Sequence, residues 1–417
     1  MALNFPPLDL AAAHAEVVAL LDGARDIVLA RVEDTAPTWT LDRGWRDYLL
    51  AIPETDLERA DTLGVAAWFV NDPACPSSLR MLSERTLAVT IPRLPGDVPP
   101  VDFPFMNIRK RGQVAAILRL LREGFSGLSE IVDVGAGRGQ LTARASSALS
   151  IPALGLERDP ERVAVATALA GDLPVRFVTA DVLSPTDNPL LSLPRTPNRL
   201  LMALHGCGEL GDALVTTAAA TRASVLLLGC CPQKIRGTDR MSLVAGGPSF
   251  PKEILGLANV LSRAVGVEGD LGLALATKEA RLALRYLLAA RGTDIPAGEE
   301  MRGVNRRKAN AGFAGFAQAV CQVRGFPPPT VGEITAAASE AHAHYLARRR
   351  LSLPRSMLGR PLEIFIALDR ALYLRHHGYD ARVVELFPAT DSPRNLAVIG
   401  HLGRLGHLGT GPAFPGS

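Results

Sequence analysis

The sequence Ile131-Val-Asp-Val-Gly-Ala-Gly-Arg-Gly-Gln-Leu141 carries the sharpest local pattern in the chain. A strand-sized apolar run enters Asp133-x-Gly135-x-Gly137-x-Gly139, and a helical pattern, Gln140–Leu149, leaves it. Glycines permit a tight turn and let a ligand approach the backbone closely. Their G-x-G-x-G spacing departs from the G-x-G-x-x-G of dinucleotide sites, where a pyrophosphate sits on the helix N-terminus. The carboxylate of Asp133, inside the loop, repels a pyrophosphate and favours a ligand carrying an amine or another cation. Taken alone the loop is a weak signal, because a tight strand-to-helix turn also occurs without any ligand.

Outward from this loop, short apolar runs alternate with helical patterns. Residues 129–134, 153–157, 175–180, 199–204 and 223–229 are strand-sized and apolar enough to be buried on both faces. Helices are expected between them, at Gln140–Leu149 and Pro160–Ala170, and this alternation predicts a parallel sheet built from βαβ units. Glu157 ends the second run and Asp181 the third. Asp133, Glu157 and Asp181 therefore all fall at carboxyl ends of parallel strands, the edge where open α/β sheets bind ligands. Glu157 is placed to accept both hydroxyls of a ribose and Asp181 to meet an adenine amino group. A nucleoside that also carries an ammonium and a sulfonium, S-adenosylmethionine, satisfies all three acids.

The flanks are helical in pattern. Residues 11–32 and 42–50 read as helices, the second with Trp45 and Leu49 on one face, and Pro92, Pro95, Pro99 and Pro100 mark a linker before a helix at 109–123. Residues 246–360 return to helix, with a stripe of Ala280, Leu284, Tyr286 and Leu287, before two strand-like runs at 381–387 and 395–399. The expected organisation is an N-terminal helical domain (1–100), a catalytic domain in two parts (101–245 and 361–405), a helical insertion between them (246–360) and a flexible tail (406–417).

Composition narrows the class. A chain of 417 residues exceeds one domain of about 100–200. Its 47% hydrophobic and 21% charged content excludes a mostly disordered polymer. A net charge of +3 marks neither a nucleic-acid coat nor a membrane-surface binder, so any basic face is local. Five cysteines, an odd number thinly spread, do not make a disulfide framework. With no signal-like start and no apolar run of about 20 residues, a soluble cytoplasmic protein with no membrane contact is expected. Only five of the 45 basic residues are lysines; arginine forks bind phosphate and carboxylate, but codon bias is the favoured explanation of the excess.

Several motifs resemble one family. Met106-Asn-Ile-Arg-Lys-Arg-Gly-Gln-Val is similar to an M-x-x-K-K-x-H-E-V pattern, with Gly112 and Gln113 at the His-Glu pair. Leu204-His-Gly-Cys-Gly-Glu-Leu, Gly229-Cys-Cys-Pro-Gln-Lys, Ser249-Phe-Pro, Asp369-Arg-x-Leu-Tyr-Leu and Asp391-Ser-Pro-Arg-Asn-Leu-Ala extend the likeness to Ile399. The chain resembles class I S-adenosylmethionine-dependent methyltransferases of the methyltransferase-like 25 type, distantly similar to tRNA 2′-O-methyltransferases of the acceptor stem. The resemblance implies a Rossmann-like seven-stranded α/β sheet whose last two strands form an antiparallel hairpin. It also implies cofactor binding by Asp133, Gly135, Ala136, Gly137, Gly139, Glu157, Arg158, Asp181, Val182 and Leu204, and an RNA acceptor.

Methyl transfer needs alignment above all, and a base only where the acceptor must lose a proton. His205 and Cys207 follow the fourth strand. His205 is either a base or orienting donor, or a structural histidine. Cys230 and Cys231, ending the fifth strand, have three readings: small buried hydrophobes, nucleophiles aided by Lys234, or metal ligands with His205 and Cys207. Adjacent cysteines lack the usual C-x₂₋₄-C spacing, and no metal is expected. Arg109 and Lys110 are candidates for the substrate cleft. The basic clusters beginning at Arg302 and Arg348, with Phe313, Phe316 and Tyr345 nearby, either track a phosphate backbone or are solvated helix faces.

Overall fold

The computed structural model describes residues 3–30, 36–96, 108–184, 188–259, 268–296, 298–305 and 312–402. The expected tail at 406–417, Met106 and Asn107, and the basic residues 306–308 lie outside them, as do the side chains of Arg109 and Lys110. The chain forms two compact units: residues 1–25, 88–262 and 358–417 make one, and residues 26–87 and 263–357 the other.

The first unit is built on a seven-stranded sheet. Its strands are β1 (Glu130–Val134), β2 (Ala153–Glu157), β3 (Val175–Thr179), β4 (Arg199–Leu204), β5 (Ser224–Leu228), β8 (Asp380–Glu385) and β9 (Leu396–His401), while β6 (Asp239–Arg240) and β7 (Phe250–Pro251) pair separately as a short ribbon. The order is β3-β2-β1-β4-β5-β9-β8, with β1 to β5 parallel and the β8–β9 hairpin antiparallel to β5. This is the class I methyltransferase sheet that the resemblance implied.

β1, β4 and β5 are buried on both faces, as interior parallel strands must be. Leu200, Met202, Leu226 and Leu228 face a core shared with Ile117 and Leu121 of helix Ile108–Gly124. β3 departs from the expectation: only Phe177 is buried along it, because the strand order leaves β3 at the edge. The reversal from β1 to β4 beside the β1–β2 pair opens the crevice at the carboxyl ends where such sheets take ligands.

Helix Gly359–His376 closes the unit, packing on helix Leu10–Gly23 and on the β8–β9 hairpin. A buried ion network fixes it. Asp369, fully buried, accepts from the Arg240 guanidinium (2.8 Å) and from the backbone N–H groups of Leu243 and Val244 (3.0 Å each). Asp212 accepts from Arg240 and from Arg370, and Arg370 also donates to the Gly208 carbonyl (2.8 Å).

The second unit is helical. Helices Glu268–Ala290, Phe313–Val323 and Val331–Met357 enclose a core of Ala280, Leu284, Leu287, Phe316 and Cys321. The division into units therefore differs from a 1–100 helical domain and a 246–360 insertion. Residues 10–23 follow the sheet because the apolar face of that helix is covered by helix Gly359–His376, a long-range pairing with no local signature. The single helix expected at 42–50 is two, Thr38–Asp42 and Arg46–Ala51, broken at Gly44, whose φ of 68° an L-residue rarely adopts. Trp45 and Leu49 are nevertheless both fully buried, as their spacing predicted.

The expectation that the basic cluster from Arg348 tracks phosphate or lines a solvated face is corrected. Arg349 pairs with Asp61, Arg350 donates to the Ile52 carbonyl (2.7 Å) and Arg355 to the Val28 carbonyl (3.2 Å). These arginines hold their helix against the segments carrying residues 28–61. Phe316 is fully buried and has no face left for a base, and burial pushes the Tyr345 hydroxyl up to about 12.

Candidate functional site

The glycine loop turns β1 into helix Gln140–Leu149 through three left-handed residues, Gly135, Gly137 and Gly139, with φ of 76°, 59° and 72°. They do different work. A Cβ at Gly137 meets nothing within 4 Å, so its backbone is open to a ligand. One at Gly139 would lie 2.3 Å from Phe177, so this glycine serves close helix–strand packing. The loop is held to β2 from both sides: Gly135 and Ala136 donate to the Leu156 carbonyl, and Gly137 donates to a Glu157 carboxylate oxygen (2.9 Å).

Around the loop lies a cleft of about 620 Å³ that Asp133, Gly135, Ala136, Gly137, Leu204 and His205 line. Asp133 is 2% exposed and accepts from the Thr142 hydroxyl (2.6 Å). Burial, with Glu157 nearby adding to it, pushes its carboxyl up from 3.8 to about 6 even though the Thr142 bond works against the shift. A buried carboxylate at the floor of a polar cleft is stabilised by an incoming cation. Thr142 was not anticipated; its signal was a hydroxyl three residues into the helix after the loop, on the turn facing the strand. Arg138, Gln113 and Val165 also line the cleft.

The other candidates are less directly placed. Glu157 is buried and already receives the Gly137 and Asp159 N–H groups, so it shapes the loop as well as offering further lone pairs to a ligand. Arg158 is exposed, and Val182 is buried beyond β3. Asp181 is exposed and caps its own turn at the Leu183 N–H (2.9 Å). None of Glu157, Arg158, Asp181 and Val182 is among the residues lining the cleft. Arg109 and Lys110 occupy the first turn of helix Ile108–Gly124.

At the ends of β4 and β5 the sequence motifs converge. His205 has φ of 69°, a strained conformation for a non-glycine residue, and its exposed ring borders the cleft. Cys207 and Cys230 are paired sulfur to sulfur with Cα atoms 5.3 Å apart, a pairing the thin scatter of cysteines did not foresee. Cys231 carries a free thiol beside them, and the Lys234 side chain is exposed. Arg394, from the Ser392-Pro-Arg-Asn segment, donates to the Cys230 carbonyl and to Asn259.

Solved structures that share likeness with this chain include three methyltransferases. The sugar N-methyltransferase KedS8 from Streptoalloteichus sp ATCC 53650 is 17% identical over 30% of this chain and 52% of its own, with a TM-score of 0.21. The S-adenosylmethionine-dependent methyltransferase SibL in its apo form is 17% identical over 46% and 57%, at 0.22. Coclaurine N-methyltransferase bound to N-methylheliamine and SAH is 13% identical over 83% and 95%, at 0.26. The chain thus spans little more than half the length of the first two. At such scores these likenesses carry no weight for the acceptor. Residues 109–238, which hold the glycine loop, β1 to β5 and the cysteine cluster, match the family model described as a methyltransferase domain, with which S-adenosylmethionine as cofactor is consistent.

Proposed function

We propose that the chain is an S-adenosylmethionine-dependent methyltransferase whose reacting centre borders the carboxyl ends of β1, β4 and β5. One observation carries this reading above the rest: a buried, proton-hungry carboxylate, Asp133, on the floor of a cleft whose glycine loop leaves the Gly137 backbone open. The donor set fits the cofactor's charge: Asp133 faces its ammonium, and Leu204 supplies an apolar wall. Glu157, beneath the loop, holds the Gly137 N–H in place and has lone pairs left for ribose hydroxyls. Bound there, S-adenosylmethionine supplies a methyl group on a positively charged sulfur. The protein's part is alignment, and His205 at the strand end accepts the acceptor's proton where one must leave.

RNA is the acceptor class we propose, on the resemblance and on the basic first turn Arg109-Lys110-Arg111. The Arg348–Arg355 segment lends it nothing, being used for packing. The test is uptake of labelled methyl groups into an extract lacking the protein, fractionated into RNA, protein and small molecules. Label in RNA that disappears with His205→Ala supports the proposal. Label in another fraction replaces RNA with that acceptor, and no uptake in any fraction turns the site into a non-catalytic binding module.

A further inference from the structure

We infer that Cys207, Cys230 and Cys231 form a binding site for a thiophilic divalent metal ion of the zinc class. The two loops that carry them are stitched together at the backbone. Gly206 N–H donates to the Leu228 carbonyl (3.0 Å) and Glu209 N–H to the Lys234 carbonyl (3.1 Å). Beside Cys207, Gly208 has no room for a Cβ, which would lie 2.2 Å from the Lys234 backbone carbonyl oxygen, and one at Gly206 would push on the Leu227 side chain at 2.3 Å. Gly208 also has φ of 49° with ψ of −121°, which only glycine adopts without strain. On the far side Arg394 holds the Cys230 carbonyl. The thiols are thus positioned by the backbone before any ligand arrives.

The three sulfurs lie within 4.8 Å of one another. A tetrahedral ion with metal–sulfur bonds of about 2.3 Å holds its sulfurs roughly 3.8 Å apart, so the side chains reach ligating positions without moving the loops. The adjacency of Cys230 and Cys231, unusual for a sequence motif, is overcome because the third ligand comes from a neighbouring strand end. Cys207 and Cys230 are joined sulfur to sulfur in this structure, with Cys231 free beside them; on reduction the three thiols face one point and can share one ion. Among the described residues no histidine or carboxylate joins the three sulfurs. The fourth position is left to water or a substrate atom, as in catalytic rather than closed structural zinc sites.

This site stands apart from the cofactor reading and is tested apart from it. The full chain, reduced and stripped with a chelator, is titrated with Co²⁺ as a spectroscopic stand-in. One equivalent is expected to give a thiolate-to-cobalt charge-transfer band that zinc abolishes and that fades as acid protonates the thiols. Cys207→Ser, Cys230→Ser and Cys231→Ser should each weaken binding by at least about 100-fold, more than loss of an outer-shell partner costs, while Cys75→Ala leaves it unchanged. Circular dichroism of each variant separates ligand loss from unfolding, and the wild-type titration stands without them. Absence of the band in the reduced wild type overturns the proposal. So does full affinity in Cys231→Ser. Peptide mapping that finds a Cys207–Cys230 disulfide in a chain that binds no cobalt after reduction would replace it with a redox pair.

Discussion

Asp133→Asn should stabilise the sheet unit while destroying its proposed function. The Asp133 carboxyl is pushed from 3.8 to about 6 in the fold, a rise of about 2 units that already includes the opposing Thr142 bond. At about 1.4 kcal/mol per unit, keeping it ionised costs the folded state on the order of 3 kcal/mol at neutral pH. Asparagine keeps an acceptor for Thr142, turns its amide towards the cleft and carries no charge to desolvate. The sign with pH follows from the raised value. Between pH 4 and 6 the native wild type holds a proton that the unfolded chain has lost, so acidification favours the wild type. The variant's advantage is therefore full above about pH 6 and closes towards pH 4. Scanning calorimetry from pH 4 to 7.5 reads it, with the sheet-unit transition expected to rise by roughly 5–10 °C at pH 7.5. Tryptophan emission would miss it, because Trp39, Trp45 and Trp68, the chain's three tryptophans, all lie in the helical unit. A variant no more stable than wild type at pH 7.5, or an advantage that persists undiminished at pH 4, would show that the buried Asp133 charge does not burden the fold.

Other expectations follow from the same contacts. Asp369→Ala leaves the buried Arg240 guanidinium with Asp212 alone and strands the backbone N–H groups of Leu243 and Val244, and should cost the sheet unit about 3 kcal/mol in urea unfolding followed by circular dichroism. Gly139→Ala drives a methyl group against Phe177 at a left-handed position; a loss of about 2–4 kcal/mol by the same measurement is expected. Arg349→Gln breaks its pair with Asp61 and should lower the helical unit's stability by about 1–3 kcal/mol, read by tryptophan emission, with cofactor affinity unchanged. Because the proposed cofactor binds as a cation, its affinity for wild type should fall about tenfold per pH unit below pH 6 as Asp133 takes up its proton.

What was legible in the sequence was what local pattern encodes. Helices Gln140–Leu149 and Pro160–Ala170 and strands Ala153–Glu157 and Arg199–Leu204 have the expected bounds, because each is a periodic run with a clear stop. The closing antiparallel hairpin, which the resemblance implied, is present as β8 and β9 on the two strand-like runs read at 381–387 and 395–399. The division into units was not legible, since it depends on which distant helix covers residues 10–23. Within the site, Asp133 was readable as an acid in a glycine loop. Its partner Thr142 and the Glu157–Gly137 bond were not, because each depends on how one element lies across another. The cluster from Arg348 was not readable for the same reason: spacing along a helix does not tell whether a guanidinium ends on a phosphate or on a neighbour's carbonyl, as Arg350 does.

The proposed function rests on binding of S-adenosylmethionine in the cleft above Asp133. Calorimetric titration of the purified chain with S-adenosylmethionine at pH 7.5 measures that binding. One equivalent should bind the wild type, and Asp133→Asn, though more stable, should bind at least about tenfold more weakly, the loss expected for about 1.4 kcal/mol of charge pairing. No heat of binding in the wild type, or equal affinity in the two proteins, would contradict it.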